Sequence, residues 1–342
     1  MMNINKFKKN FDKKFIKFLN QKLKKDFVFI KNLDLKLYFD HIISLAKEGK
    51  RLRPFIFYLI LKSLNKKIDQ NGFKIMIALE LIHLFALIQD DVMDKAKTRR
   101  EILTLNEFIF QNSKLYNPKN KRDYSNNVSI LLSDIIFNIF YNHISNLPPQ
   151  IKNEFYIMIN EVLVGQFLDL YLANEPKLNS NINDIKNKNL LKTASYTFVR
   201  PMTIASIFCN LNKKEIEKIK KIGFLIGNIF QIQDDLFDYY LSKQDKDRFN
   251  DIKEGQKTYI TYYLLNKTKY GAIMKKLFYK KLNYQEKKFL NELIFKNKVD
   301  KYIQNEINLN HKKAKILINQ IKNKKLKNNL DYLLNLIHQR QQ

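Results

Sequence analysis

The stretch ALELIHLFALIQDDVMDKAKTRR, residues 78–100, joins an apolar helix to a dense cluster of charges. Its left half places Leu79, Ile82, Phe85, Ala86, Leu87 and Ile88 at helical spacing. Its right half carries Asp90, Asp91 and Asp94, then the adjacent Arg99 and Arg100. Asp90 and Asp94 are one turn apart on the same face, with no Lys or Arg between them. Like charges at that spacing repel, so the pattern predicts a cation held between them.

The chain around this stretch has 342 residues, enough to bury a sizeable core, and 45% of them are hydrophobic, which fits a globular protein. The one cysteine, Cys209, excludes an intrachain disulfide and fits a reducing, cytoplasmic setting, and nothing in the sequence resembles a Cys/His zinc site. The longest apolar run, Pro54 to Leu61, is far too short for a membrane span, and no signal peptide is expected because the basic first residues lack an apolar core. A net charge of +29 invites a nucleic-acid partner. Against that, Lys, Asn, Ile and Phe are abundant while Gly and Trp are scarce, as in an AT-rich genome, and the lysines are spread along the whole chain. Charge alone decides little, and no nucleic-acid partner is expected.

Helical periodicity recurs along the chain. Residues 4–25 form a basic amphipathic pattern with Phe7, Phe11, Phe15 and Leu19 four apart. That pattern suits a targeting or membrane-surface helix, but its continuation into Leu33 to Ala46 favours the first helix of the domain. Gly49 ends the second pattern, and Lys50, Arg51, Leu52, Arg53 and Pro54 open a third, where basic side chains at a helix start favour an anion. The polar segment 111–127 reads as an exposed loop. Further helices are expected over Val128 to Ile144, Ile151 to Leu172, from Leu191 to about Asn210, and Glu215 to Tyr240, with a polar stretch at 174–189 and a Lys-rich helical remainder. No strand pattern or domain linker stands out. The expectation is one all-α domain over residues 1–342, with residues 1–25 as its basic N-terminal helix.

Asp-Asp-x-x-Asp occurs twice, at Asp90 to Asp94 and at Asp234-Asp235-Leu236-Phe237-Asp238, each time ending a long apolar helix. One copy would pass for a solvated turn; two in the same context would not. Carboxylates without His or Cys partners select hard cations, so Mg²⁺ is favoured, completed by phosphate oxygens. No Gly-rich phosphate loop is present, which argues against a P-loop enzyme.

On these motifs the chain resembles the trans-isoprenyl diphosphate synthases of the polyprenyl synthetase family, of the farnesyl and geranylgeranyl diphosphate synthase type. The family's Gly-Lys-Arg-x-Arg-Pro cluster is matched by Gly49 through Pro54, its histidine before the first motif by His83, and its arginine pair by Arg99-Arg100. Its Lys-Thr pair is matched by Lys192-Thr193, and its Phe-Gln before the second motif by Phe230-Gln231. The resemblance implies an isoprenoid-synthase-type bundle of roughly ten or more helices around a central cavity, usually a homodimer. It implies that Asp90 and Asp94 bind two Mg²⁺ (or Mn²⁺), and Asp234 with Asp238 a third, with Asp91 and Asp235 completing the motifs. Arg99, Lys192, Lys246 and Lys257 would neutralise an allylic diphosphate, and Lys50, Arg53, His83 and Arg100 would hold isopentenyl diphosphate. Loss of pyrophosphate would leave an allylic cation facing Thr193 and Gln231; isopentenyl diphosphate would then attack, with pyrophosphate taking the last proton.

The chain departs from the family pattern at several points. Gln89 replaces a histidine, Glu101, Ser133, Asp245 and Phe249 replace glycines, and Gln256 replaces a lysine beside Lys257. Phe85, five residues before Asp90, occupies the position that faces the growing chain in the family, and its bulk predicts a C15 or C20 product. The competing readings are a longer-chain polyprenyl synthase, a terpene cyclase, a non-catalytic partner subunit and a basic nucleic-acid-binding protein. A cyclase would not need the isopentenyl set, a non-catalytic subunit would have lost a motif, and two acid triads would repel nucleic-acid phosphate.

Overall fold

Asp69 starts the central helix of the N-terminal part by accepting a hydrogen bond from the Gly72 N–H at 2.8 Å, and Asp94 caps its other end. Such an N-cap stabilises a helix by about 1 kcal/mol. The structure, a computed structural model, describes residues 4–25, 27, 33–113, 118–175, 181–240 and 249–340. Almost all of these are helical: α1 (Ile4–Lys25), α2 (Leu33–Lys47), α3 (Leu52–Ser63), α4 (Gln70–Met93), a hairpin of β1 (Thr98–Arg99) and β2 (Ile102–Leu103), α5 (Leu105–Asn112), α6 (Lys121–Ile144) and α7 (Pro149–Ala173). After these come α8 (Ile182–Asn189), a π-helix (Leu190–Val199), α9 (Arg200–Phe208), α10 (Lys213–Tyr240), α11 (Asn250–Lys253), α12 (Tyr259–Asn266), α13 (Gly271–Leu277), α14 (Tyr284–Lys296), α15 (Val299–Asn319) and α16 (Lys324–His338). Two compact units emerge, one of residues 1–59 and 67–152, the other of 60–66 and 153–342.

In the first unit α4 packs along α6, and α5 packs on α2, α4 and α6. Helix α4 is apolar on nearly every side, and Ile75 through Ile82 are buried without a break, as a core helix requires. The phenylalanine stripe of α1 is consumed in this core: Phe11 and Phe15 are buried, and the rings of Phe7, Phe11 and Phe15 stack in series. In the second unit α10 packs on the π-helix, α9, α15 and α16.

Three expectations are corrected. Residues 111–127 are not a continuous loop, because α6 begins at Lys121. Its polar first turns satisfy themselves within the helix: Ser125 and Ser129 bond back to the Lys121 and Ser125 carbonyls at 2.8 and 2.7 Å, and Arg122 pairs with Glu107 at 2.9 Å. Residues 181–189 likewise form α8 behind an Asn181/Asp184 capping box. The β1–β2 hairpin was invisible because two-residue strands carry no alternation. Its turn residues Arg100 and Glu101 have φ of 51° and 68°.

By length and composition alone, helices α4 and α7 are long and apolar enough to cross a membrane, as many buried core helices are. Two-thirds of the α4 window is buried inside the protein, which marks a core helix; the α7 window is only one-third buried.

Three histidines of the first unit lie below the ordinary imidazole value. Burial lowers His41, against a hydrogen bond to the Leu103 carbonyl. Burial also takes His143 down to about 4, and lowers His83 strongly with help from Arg53, Arg99, Arg100 and Arg51. The unfolded chain binds these protons near pH 6.5 and the folded chain only at lower pH, so stability rises with pH in this window. Thermal midpoints are expected to fall as the pH is lowered from about 6.5 towards about 4. His143→Phe, which removes one of the three titrations, should flatten that slope; an unchanged slope would refute the assignment.

Candidate functional site

The first acidic motif stands where α4 runs out. The Asp94 N–H donates to the Asp90 carbonyl at 2.8 Å, so the last turn is kept and both residues occupy the same face. Asp91 points the other way. It is 1% exposed and accepts from Arg99 at 2.6 and 2.9 Å, while Arg99 also reaches Asp90 at 3.5 Å. Burial raises the Asp91 carboxyl and the Arg99 charge opposes that rise. Arg99, expected on a diphosphate, therefore also fastens the β1–β2 hairpin to the end of α4.

The basic cluster before α3 divides by direction. Arg51, with φ of 57°, turns inward to Asp12 at 2.5 Å and Glu80 at 2.7 Å and is 3% exposed. Lys50 is exposed and Arg53 and His83 are half-buried. Arg100 donates to the Glu48 carbonyl, across from the same cluster. Because burial and four arginines lower His83, it stands neutral at neutral pH and offers one N–H rather than a charge. Phe85 is 9% exposed, and its ring lies 5.0 Å from Phe137, which in turn lies 5.7 Å from Phe140. Two of the departures meet here: Gln89 donates to the Ser133 hydroxyl at 2.5 Å.

The second motif ends α10. Gln231 donates to Asp235 at 2.7 Å, and Asp235 is buried, which raises its carboxyl against the opposing charge of Lys188. Asp234 pairs with Arg340 at 2.6 Å, and the Arg340 guanidinium lies over the Phe230 ring at 4.3 Å. Asp238 lies on α10, but its side chain falls outside the described residues, as do Asp245 and Lys246 entirely. Lys192 and Thr193 sit in the π-helix, a rare winding often found at functional sites. Lys192 binds Asp169 at 2.5 Å, and Lys188 binds the other oxygen at 3.0 Å.

Lys257 does not join this group. It is 2% exposed, donates to the Gly255 carbonyl and lies 4.7 Å from the Phe278 ring; burial lowers its amine to about 8. Gln256 is the neighbour that turns towards Asp169, at 3.5 Å. The alternation of adjacent side chains decides between the two, which sequence adjacency could not. Asp169, Lys188 and Arg340 were missed by the sequence reading. For Asp169 a signal existed, an acid within the apolar run of α7; nothing in the sequence marked one lysine or a terminal arginine among 62 cationic residues.

Two of the glycine replacements fall at left-handed positions, Glu101 at φ 68° and Phe249 at φ 67°. Each costs roughly 1–2 kcal/mol in backbone strain. At Phe249 full burial against Tyr239, with rings 5.4 Å apart, offsets it. An apolar groove of about 710 Å³ in the second unit, lined by Leu190, Phe224 and Ile316, holds none of the residues singled out above.

Among the described residues no three His, Cys, Asp or Glu side chains converge into a closed metal cage. Asp90 and Asp94 supply hard oxygens from one face, the donor set that suits a Mg²⁺ keeping waters and phosphate oxygens as its other ligands.

The profile of the polyprenyl synthetase family matches residues 35–294, about three-quarters of the chain. The chain belongs to that family. It is thereby a trans-isoprenyl diphosphate synthase, a transferase of a generally divalent-metal-dependent kind. A short chain isoprenyl diphosphate synthase of Methanocaldococcus jannaschii is 28% identical over 264 residues, 75% of this chain and 73% of its own length. A decaprenyl-diphosphate synthase of Dictyostelium discoideum is 27% identical over 203 residues, 58% of this chain but only 39% of its own length. In fold the chain is similar to a geranylgeranyl pyrophosphate synthase of Corynebacterium glutamicum, solved with isoprenyl diphosphate and magnesium, at TM-score 0.86 and 21% identity over 99% of this chain and 100% of that one. Polyprenyl synthetases of quite different product length thus resemble this chain.

Gly165 on α7 sets the distance to the π-helix, since a Cβ there would lie 2.3 Å from the Lys192 backbone nitrogen. Gly165→Val is therefore expected to destabilise the protein by roughly 1–3 kcal/mol and to displace Lys192. The denaturant midpoint reads the first effect, and turnover the second; a variant with parental values in both would disprove the close approach.

Proposed function

We propose that this polyprenyl synthetase condenses isopentenyl diphosphate with an allylic diphosphate, in a Mg²⁺-dependent reaction that yields a C15 or C20 product. The observation that carries the reading is the repeated acid triad at the end of an apolar helix, each copy beside its own cations. Lys50, Arg53, Arg100 and neutral His83 are assigned to isopentenyl diphosphate, and Arg99 and Lys192 to the allylic diphosphate. Lys257 is left out of that set, because its amine is buried on Phe278.

Mg²⁺ bound at Asp90, Asp94 and Asp234 would supply the positive charge that a departing diphosphate needs. The residues of the chain do the rest by placement. The Gln231 amide nitrogen is engaged by Asp235, so its carbonyl oxygen is the end that can face an allylic cation, with the Thr193 hydroxyl. When the allylic C–O bond breaks, its electron pair leaves with pyrophosphate. The isopentenyl double bond then forms the new C–C bond, and pyrophosphate takes the proton lost in the final elimination. No side chain is required as a base. A homodimer is part of the proposal, supported by Tyr156, Leu163, Val164, Phe167 and Tyr171, which α7 leaves exposed at helical spacing.

Purified protein with Mg²⁺, isopentenyl diphosphate and geranyl or farnesyl diphosphate should release pyrophosphate and form a longer prenyl diphosphate; absence of both would reject the reading. Product length has its own test. Phe85, backed by Phe137, closes the path of the growing chain in this reading, so Phe85→Ala should lengthen the product by one or more isoprene units. Identical product distributions in parent and variant, resolved by chain length, would remove Phe85 from that role.

A further inference from the structure

Asp169 carries two ammonium groups on one carboxylate. Lys188 lies 3.0 Å from one oxygen and Lys192 2.5 Å from the other, and Asp169 itself is 4% exposed. Burial alone would raise this carboxyl; the two lysines more than offset it and hold it down to about 2. The amines are not equivalent. The Lys188 side chain is 8% exposed and also donates to the Lys257 carbonyl at 2.8 Å, whereas that of Lys192 is 25% exposed. Lysine is almost never so buried without a partner that demands it. Of the two amines, that of Lys192 is the more accessible to an incoming anion.

We propose that Lys188 is a positioning residue: it holds Asp169 so that Lys192 can exchange the carboxylate for the diphosphate of a substrate. The inference rests on the role proposed above for Lys192. If Lys192 were the sole cation on Asp169, moving it to a diphosphate would strand a buried carboxylate. With Lys188 in place Asp169 stays neutralised throughout, and no covalent bond changes. Lys188 also opposes the rise of the neighbouring Asp235 carboxyl, so its charge serves both acids of this corner. Gln256, whose amide approaches the Lys192-bound oxygen of Asp169 at 3.5 Å, marks a second point from which a cation could serve.

The test compares the parent enzyme with Lys188→Met, Lys188→Arg, and Lys188→Met combined with Gln256→Lys. Steady-state kinetics, thermal unfolding and calorimetric binding of inorganic pyrophosphate are measured for each. Lys188→Met should raise the KM for the allylic diphosphate about tenfold, weaken pyrophosphate binding to a similar degree, and leave the KM for isopentenyl diphosphate near the parental value. Lys188→Arg and the Gln256→Lys second-site change should restore both. A purely structural role predicts instead a loss of thermal stability, with both substrates affected alike and no rescue from position 256, and that result overturns the inference. So does parental KM and pyrophosphate binding in Lys188→Met. Should Lys188→Met not fold, Lys188→Gln, which keeps a donor for the Lys257 carbonyl but removes the charge, decides: weaker pyrophosphate binding supports the inference and unchanged binding rejects it. Failure of the proposed function is separable, because it would appear as a parent without turnover, while pyrophosphate binding still reports on Lys188.

Discussion

Buried charge that must be neutralised where it stands is the constraint on which this molecule depends. Asp91 is 1% exposed, and Arg99 meets it at 2.6 Å. Removing one partner of such a pair costs about 3–5 kcal/mol, because the other is left uncompensated. The contact ties the hairpin to the end of α4 and so fixes the turn on which Asp90 and Asp94 stand. Arg51 does the same for the start of α3, pinned between Asp12 and Glu80 while Lys50 stays exposed. In both places one member of a charged cluster is buried in structure, while its neighbours Asp90, Asp94, Lys50 and Arg53 stay partly or fully exposed.

The second unit solves a related problem by close backbone approach. Gly165 and Gly227 let α7 and α10 touch the π-helix, where a Cβ at Gly227 would lie 2.5 Å from that of Ala194. The wider winding brings Lys192 and Thr193 round in a register an α-helix would not give. Glycine is scarce in this chain, with seven in all, and its survival at these contacts agrees with the absence of room for any side chain. Elsewhere the chain tolerates its loss, as the left-handed Glu101 and Phe249 show.

Much of the functional reading was legible in the sequence, for physical reasons. Two acid triads at helix ends declare themselves because the spacing of like charges is local, and helix periodicity places them on one face without any tertiary knowledge. The all-α class followed from the same periodicity in α4, α6, α7 and α10. What misled was polarity: the start of α6 and all of α8 looked like loops because their apolar contacts are few, while their hydroxyl and amide groups bond within the helix.

Sequence by itself determined the family, the helical class and the acid motifs, all set by residue type and short spacing. Tertiary structure alone decided which member of each charged cluster serves the fold. It turned Asp91 inward and left Asp90 and Asp94 at the helix end, buried Arg51 beside an exposed Lys50, and chose Gln256 over Lys257 as the neighbour of Asp169. It also brought Lys188 to a carboxylate 19 residues away. The reason is that pairing a charge depends on where side chains meet in space, and adjacent residues on a turn point in different directions. Spacing along the chain locates a charge; only packing says what it faces.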